Sequence, residues 1–211
     1  MQIALAGTNI LLLPQKAMFL PEHSILIIAD LHLGKAQHFR KSGIMMPAGS
    51  AAKDYITLNS LIEQYTPQQV WFLGDLFHSI HNLEWLQFEA FIHAWPGIDF
   101  TLIKGNHDII QEEYYDKLGI AIVPHVLPLD QLLFSHEPMS EVAEGKINIA
   151  GHIHPGCVIH GKGRQSYRLP CFHLSGQNFL LPAFGYLTGL SIMENKNAAV
   201  FAVLPEQVVL V

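Results

Sequence analysis

Sulfur and charge are both scarce in this chain of 211 residues. Cys157 and Cys171 are the only cysteines, and they do not form a C-x-x-C pair. That spacing gives neither a disulfide framework nor a thiolate zinc site, and a reducing compartment is the default. Charged residues make up only 14% of the sequence, and the net charge is −6 with histidine neutral, so no basic tail advertises nucleic acid. A hydrophobic content of 50% excludes a disordered chain. No apolar window reaches the length of a membrane span. The apolar start MQIALAGTNILLLP lacks the basic region of a secretion signal, its first lysine being Lys16. A cytoplasmic protein is expected. Repeats, low-complexity tracts and Gly/Ser/Pro-rich linkers are also missing, so residues 1–211 are expected to form a single domain.

Histidine is what the chain has in excess, with 13 copies against 12 lysines and arginines combined. A neutral imidazole is both a common metal ligand and a physiological acid–base group. Where the histidines fall is set by the skeleton. Ser24–Ala29, Val70–Leu73 and Phe100–Ile103 read as buried strands, separated by helical patterns over Pro47–Tyr65 and Leu83–Trp95. This β–α–β–α–β order is the signature of a parallel sheet. The second half changes to short apolar runs at Ile120–Val123, Gln131–Phe134, Ile147–Ala150, Val158–His160, Phe179–Leu181, Ala198–Val203 and Val208–Val211. The expectation is an α/β chain whose second half adds a largely β sheet, the two sheets packing face to face with helices outside.

Five of these apolar runs end in groups able to bind a metal: Asp30-Leu31-His32, Gly74-Asp75, Gly105-Asn106-His107-Asp108, His136, and Gly151-His152-Ile153-His154. Ligand sites in open α/β sheets lie at the carboxyl ends of the strands, so such ends can converge on one cleft. Asp30 with His32, and His152 with His154, each have i, i+2 spacing, which in an extended chain puts both side chains on one face. Asp75 stands alone after its strand, and its two carboxylate oxygens suit it to bridge two cations. The candidate ligands Asp30, His32, Asp75, Asn106, His136, His152 and His154 are more than one ion needs. Their oxygen and imidazole chemistry suits Mn²⁺, Fe or Zn²⁺. Side chains of adjacent residues diverge, so if Asn106 coordinates, His107 is left free to act as an acid. Asp108 beside it is expected to orient an imidazole.

Taken in order, D-x-H, G-D, G-N-H-D, a lone His and G-H-x-H resemble the binuclear metallophosphoesterase (calcineurin-like) superfamily. The longer matches ADLHLGK (29–35), GDLFHS (74–79), GNHD, GHIHP, RLPCF (168–172) and LPAFGYLTG (181–189) resemble its ligase-associated, PdeM-type DNA repair members over nearly the whole chain. The resemblance implies an α/β/β/α sandwich of two packed mixed sheets flanked by helices. It also implies a phosphodiesterase or DNA endonuclease, typically Mn²⁺-dependent, functionally associated with DNA ligase and helicase in bacterial DNA repair. Carried over motif by motif, one ion takes Asp30, His32, Asp75 and His154. The other takes Asp75, Asn106, His136 and His152, and His107 matches the family's acid. His78, Glu137 and Leu190 depart from wider superfamily patterns, which loosens the substrate assignment while leaving the ligand set whole. A phosphomonoesterase or nucleotide pyrophosphatase on the same scaffold, or a binding module that kept the fold, are the alternatives.

The remaining features have plainer readings. Lys35, Arg40, Lys41, Lys162, Arg164 and Arg168 follow ligand motifs and are read equally as a phosphate-facing rim or as solvated surface. His78 and His81, just past Asp75, are candidates to line the cleft, whereas His23, His38, His93, His125, His160 and His173 read as surface or packing residues. Trp71, Phe72 and Phe77 read as core, Met45-Met46 as loop or core, and Cys157 as a small buried hydrophobe.

Overall fold

Strand alternation decides the layering. In the segment Ile25–Ala29 (β4), Leu26 and Ile28 point one way into a core shared with helices, while Ile27 and Ala29 point the other way into a second core between sheets. All five residues are buried, which is why the segment reads as a continuous apolar run. The computed structural model describes residues 1–35, 50–77, 83–161, 163, 165–194 and 196–211. His38, Arg40, Lys41, Met45, Met46, Pro47, His78, His81, Lys162 and Arg164 lie outside the described residues.

The first sheet has the order β1 (Gln2–Leu5), β2 (Thr8–Leu13), β3 (Ala17–Leu20), β4, β5 (Gln69–Leu73), β6 (Asp99–Ile103) and β7 (Ala121–Val123). Strands β4 to β7 are parallel, as the alternating pattern predicts, with Ala29, Leu73 and Ile103 level across the sheet. The antiparallel meander β1–β2–β3 extends it and makes it mixed. The sequence hid this meander because Thr8–Leu13 buries side chains on both faces, so the stretch shows no clean alternation. Helices α1 (Ser50–Tyr65) and α2 (Leu83–Ala94) cover the outer face, placing Leu58, Leu61, Ile62, Phe88 and Phe91 against Phe72, Phe100 and Leu102. A short helix, α3 (Glu112–Lys117), completes the described helices.

The second sheet runs β14 (Ser191–Ile192), β11 (Pro155–His160), β12 (Ser166–Ser175), β13 (Asn178–Leu180), β10 (Ile147–Ala150), β9 (Leu132–Ser135) and β8 (Val126–Leu129). Strand β15 (Ala198–Val203) also pairs with β12, and β16 (Val208–Leu210) pairs with β15. The long β12 escaped the sequence reading because Pro170 sits inside it, and proline argues against a strand. The sheets meet through Trp71, Ile27 and Leu73 on one side and Phe134, Ile149 and Phe172 on the other, with Trp71 and Phe134 edge to face at 5.2 Å. The result is two packed mixed sheets with few helices. Cys157 and Cys171 are free and buried beside Val200 and Ala202, as small hydrophobes. No described helix is long and apolar enough to cross a membrane.

Candidate metal centre

Every candidate ligand sits just past the carboxyl end of a parallel strand. Asp30 and His32 follow β4, Asp75 follows β5, and Asn106 and His107 follow β6. From the second sheet, His136 follows β9, and His152 and His154 follow β10, with Ser135 and Ala150 level. The backbone pairing continues beyond the strands. Asp30 N–H donates to the Gly74 carbonyl at 3.3 Å, His32 N–H to Asp75 at 2.9 Å, and Leu33 N–H to Leu76 at 2.8 Å. Across the second sheet, Gly151 N–H donates to the His136 carbonyl at 3.0 Å.

The geometry corrects the i, i+2 argument. Neither D-x-H nor H-x-H is extended: φ is 53° at Asp30, 49° at His32, 49° at Asp75, 67° at His152 and 55° at His154. Left-handed backbone at a non-glycine residue costs roughly 1–3 kcal/mol and gathers at functional sites. The kinks divide the H-x-H pair between two donor groups. Asp30, His32 and His154 form one and Asp75, His136 and His152 the other, the donor atoms within each lying inside 4.8 Å of one another.

In the first group His32 Nε2 lies 3.3 Å from His154 Nε2, which is 3.4 Å from Asp30 Oδ1. In the second, His136 Nδ1 lies 2.9 Å from the Leu73 carbonyl, which can only accept, so Nδ1 carries a proton. A neutral His136 then has a bare Nε2, 3.0 Å from Asn106 Oδ1, 3.1 Å from His152 Nδ1 and 3.4 Å from Asp75 Oδ1. Lone pairs converging at such distances fit a divalent cation, and the carbonyl that fixes the tautomer is the outer partner such ligands use. Asp75 faces both groups, with Oδ1 toward His136 and Oδ2 3.8 Å from His32 Nε2.

Close packing leaves little room for substitution here. Gly74 has φ +71°, and a Cβ there would collide with the His136 ring. A Cβ on Gly151 would stand 2.6 Å from Asp30 Oδ2 and 2.9 Å from Ala29 Cβ. His107 is exposed, its ring centroid 5.8 Å from that of His32. Asp108 is buried, and its partners among the described residues are backbone amides. Its carboxylate accepts from the amides of Leu76 at 2.9 Å, Phe77 at 3.3 Å and Gly105 at 2.9 Å. Lys35 lies within the field of the carboxylates. Burial pushes its ammonium below the ordinary value, and Asp30 and Asp75 pull it back up. Arg168 lies exposed on β12, opposite Val158.

The profile of the calcineurin-like phosphoesterases matches residues 23–185, a span that contains all of these donors. The chain belongs to that family. Among solved structures, the nuclease MPE of Pseudomonas putida is similar over 100% of this chain and 99% of that one, at 27% identity and a TM-score of 0.85. Yfce, a phosphoesterase from E. coli, is similar over 87% of this chain and 95% of that one, at 15% identity and a TM-score of 0.47. No curated protein matches. This calcineurin-like phosphoesterase is thus a metal-dependent enzyme, and its family uses a binuclear divalent centre. The sequence reading left one part of its site unassigned. Phe184 and Gly185 donate their amides to the carbonyls of Ala29 and Asp30, a contact across more than 150 positions that no local pattern signals.

Proposed function

We propose that this phosphoesterase hydrolyses phosphodiesters of DNA or small nucleotides, with residues 1–211 working as one domain. The observation that carries the reading is Asp75, whose two oxygens face two separate donor groups. In this reading Asp30, His32, Asp75 and His154 hold one ion, and Asp75, Asn106, His136 and His152 hold the other. Mn²⁺ is the ion we favour, with Fe or Zn²⁺ compatible with the same donors. When bound, the ion pair supplies charge stabilisation for the attacking and leaving oxygens of an in-line displacement.

The chain's own groups do the rest. Buried Asp30 and Asp75 set the charge of the pocket, and the Leu73 carbonyl keeps the His136 lone pair facing inward. Exposed His107, at the rim of the first group, donates a proton to the leaving oxygen. Lys35 adds positive charge beside the carboxylates for the substrate phosphate. Support for a nucleic-acid substrate is the full-length likeness to a protein named as a nuclease. The sequence resemblance supports a role in DNA repair, in functional association with ligase and helicase, and the two free cysteines fit a cytoplasmic location.

The test is hydrolysis of an aryl phosphodiester beside its monoester, then of single-stranded, duplex and looped DNA and of cyclic nucleotides, with Mn²⁺ and other divalent ions. Diester and DNA cleavage is expected. Preference for the monoester would move the protein to the phosphomonoesterases, and metal binding with no hydrolysis would make it a binding module.

A further inference from the structure

The segment 181–186 is a strap across the seam between the sheets. Leu181 N–H donates to the Ala150 carbonyl at 2.8 Å, at the end of the strand that leads to His152 and His154. Phe184 N–H donates to Ala29 at 2.8 Å and Gly185 N–H to Asp30 at 3.2 Å, at the end of the strand that leads to Asp30 and His32. The strap thus ties together the chain ends that carry every member of the first donor group. It fits closely, since a Cβ on Gly185 would lie 2.5 Å from the Leu31 carbonyl.

The outward carbonyls of this strap are held from the β2–β3 turn. The Lys16 ammonium donates to the carbonyls of Phe184 and, at 3.3 Å, Gly185. Lys16 is presented by a left-handed backbone, φ 63°. The next residue of the strap is fixed from α1, where Asp54 accepts the Tyr186 amide at 3.0 Å and the Lys53 ammonium sits 4.3 Å over the Tyr186 ring. A cavity of about 310 Å³ lies between these elements, lined by Lys16, Lys53, Asp54, Phe184 and Tyr186.

We propose that Lys16 is a positioning residue of the metal centre: through the strap it holds the Ala29–Leu31 backbone so that Asp30 meets His32 and His154. Burying an ammonium on neutral carbonyls is a poor way to gain stability, because the lost hydration is only partly replaced. Burial pushes the Lys16 pKa down to about 8, and only Asp54 pulls it back. The contact does supply geometry, with one cation gripping two successive carbonyls whose own amides grip the ligand loop. The inference rests on the metal assignment proposed above.

The experiment is calorimetric titration of the full chain with Mn²⁺, for the wild type, Lys16→Met and Lys16→Arg, beside thermal unfolding and kcat against Mn²⁺ concentration. Lys16→Met is expected to weaken one of two Mn²⁺ sites by roughly 10-fold and to regain activity at high Mn²⁺. Lys16→Arg, which keeps the donors, should restore the affinity. If Lys16→Met does not fold, Gly185→Ala, which presses on the Leu31 carbonyl with Lys16 intact, should show the same selective loss. Unchanged Mn²⁺ affinity in a folded Lys16→Met protein, or in Gly185→Ala, overturns the inference alone. A wild type that takes up no ion overturns the metal assignment and the inference with it.

Discussion

The backbone amide of His107 donates to Asp75 Oδ1 at 3.0 Å. The residue read as the proton donor therefore also steadies the carboxylate that faces both donor groups, and it does so with an atom that side-chain substitution leaves in place.

His107→Ala separates the two roles. The amide still holds Asp75, so bound metal should stay at the wild-type level, while turnover should fall about 10²- to 10⁴-fold, the usual worth of a positioned acid. Steady-state hydrolysis of a phosphodiester, with metal content measured on the same sample, decides it. Undiminished turnover would remove His107 from the mechanism.

Removal of divalent ions should abolish hydrolysis, and Mn²⁺ should restore it. Because the donors gather only in the folded chain, the ion binds the native state alone and stabilises it. At 100 times the dissociation constant this amounts to about 2.7 kcal/mol per site. Thermal unfolding at increasing Mn²⁺ should give a rising midpoint, and a midpoint indifferent to Mn²⁺ would count against a preformed site.

Gly151→Ala should disturb the first donor group by crowding. Its Cβ would meet Asp30 Oδ2 at 2.6 Å and the Leu73 carbonyl at 3.2 Å, so the buried carboxylate must turn away from its partners or a strand end must move. The expected outcome is a lower unfolding midpoint together with loss of metal. Wild-type values for both would show that the packing around Asp30 is looser than these distances require.

Asp54 sets a dependence on pH. Burial pushes its carboxyl up to about 6, opposed by the Tyr186 amide and by Lys16. A carboxyl whose pKa is higher folded than unfolded contributes stability that is complete at low pH and lost as pH rises through its folded value. Asp54→Asn can still accept the Tyr186 amide but has no such proton to lose. The unfolding midpoint of the wild type relative to Asp54→Asn should therefore decline between about pH 4 and pH 7, across the two pKa values. A constant difference over that range would show that the carboxyl is not perturbed.

The parallel strands β4, β5 and β6 and the helices between them were legible because their apolar runs are long and their boundaries carry proline and glycine. The donors were legible for a related reason, since each is a polar group abruptly ending an apolar run, and in parallel sheets such ends fall on one edge. The β1–β3 meander and β12 were hidden, the first by burial on both faces and the second by Pro170.

The sequence alone determined the chemistry available: oxygen and imidazole donors without thiolate, placed at strand ends, in the order of the metallophosphoesterase motifs. Only the tertiary structure decided how the backbone brings the donors into the grouping that the motif resemblance implies. His152 and His154, neighbours in sequence, go to different groups because left-handed backbone turns their side chains apart. Lys16 and Phe184, 168 positions apart, meet because Phe184 enters the same helix-side core as Leu13 and Ala17, the residues that flank the Lys16 turn. Periodicity and spacing report on the environment of one segment, whereas the partners of a side chain are fixed by the packing of segments distant in the chain.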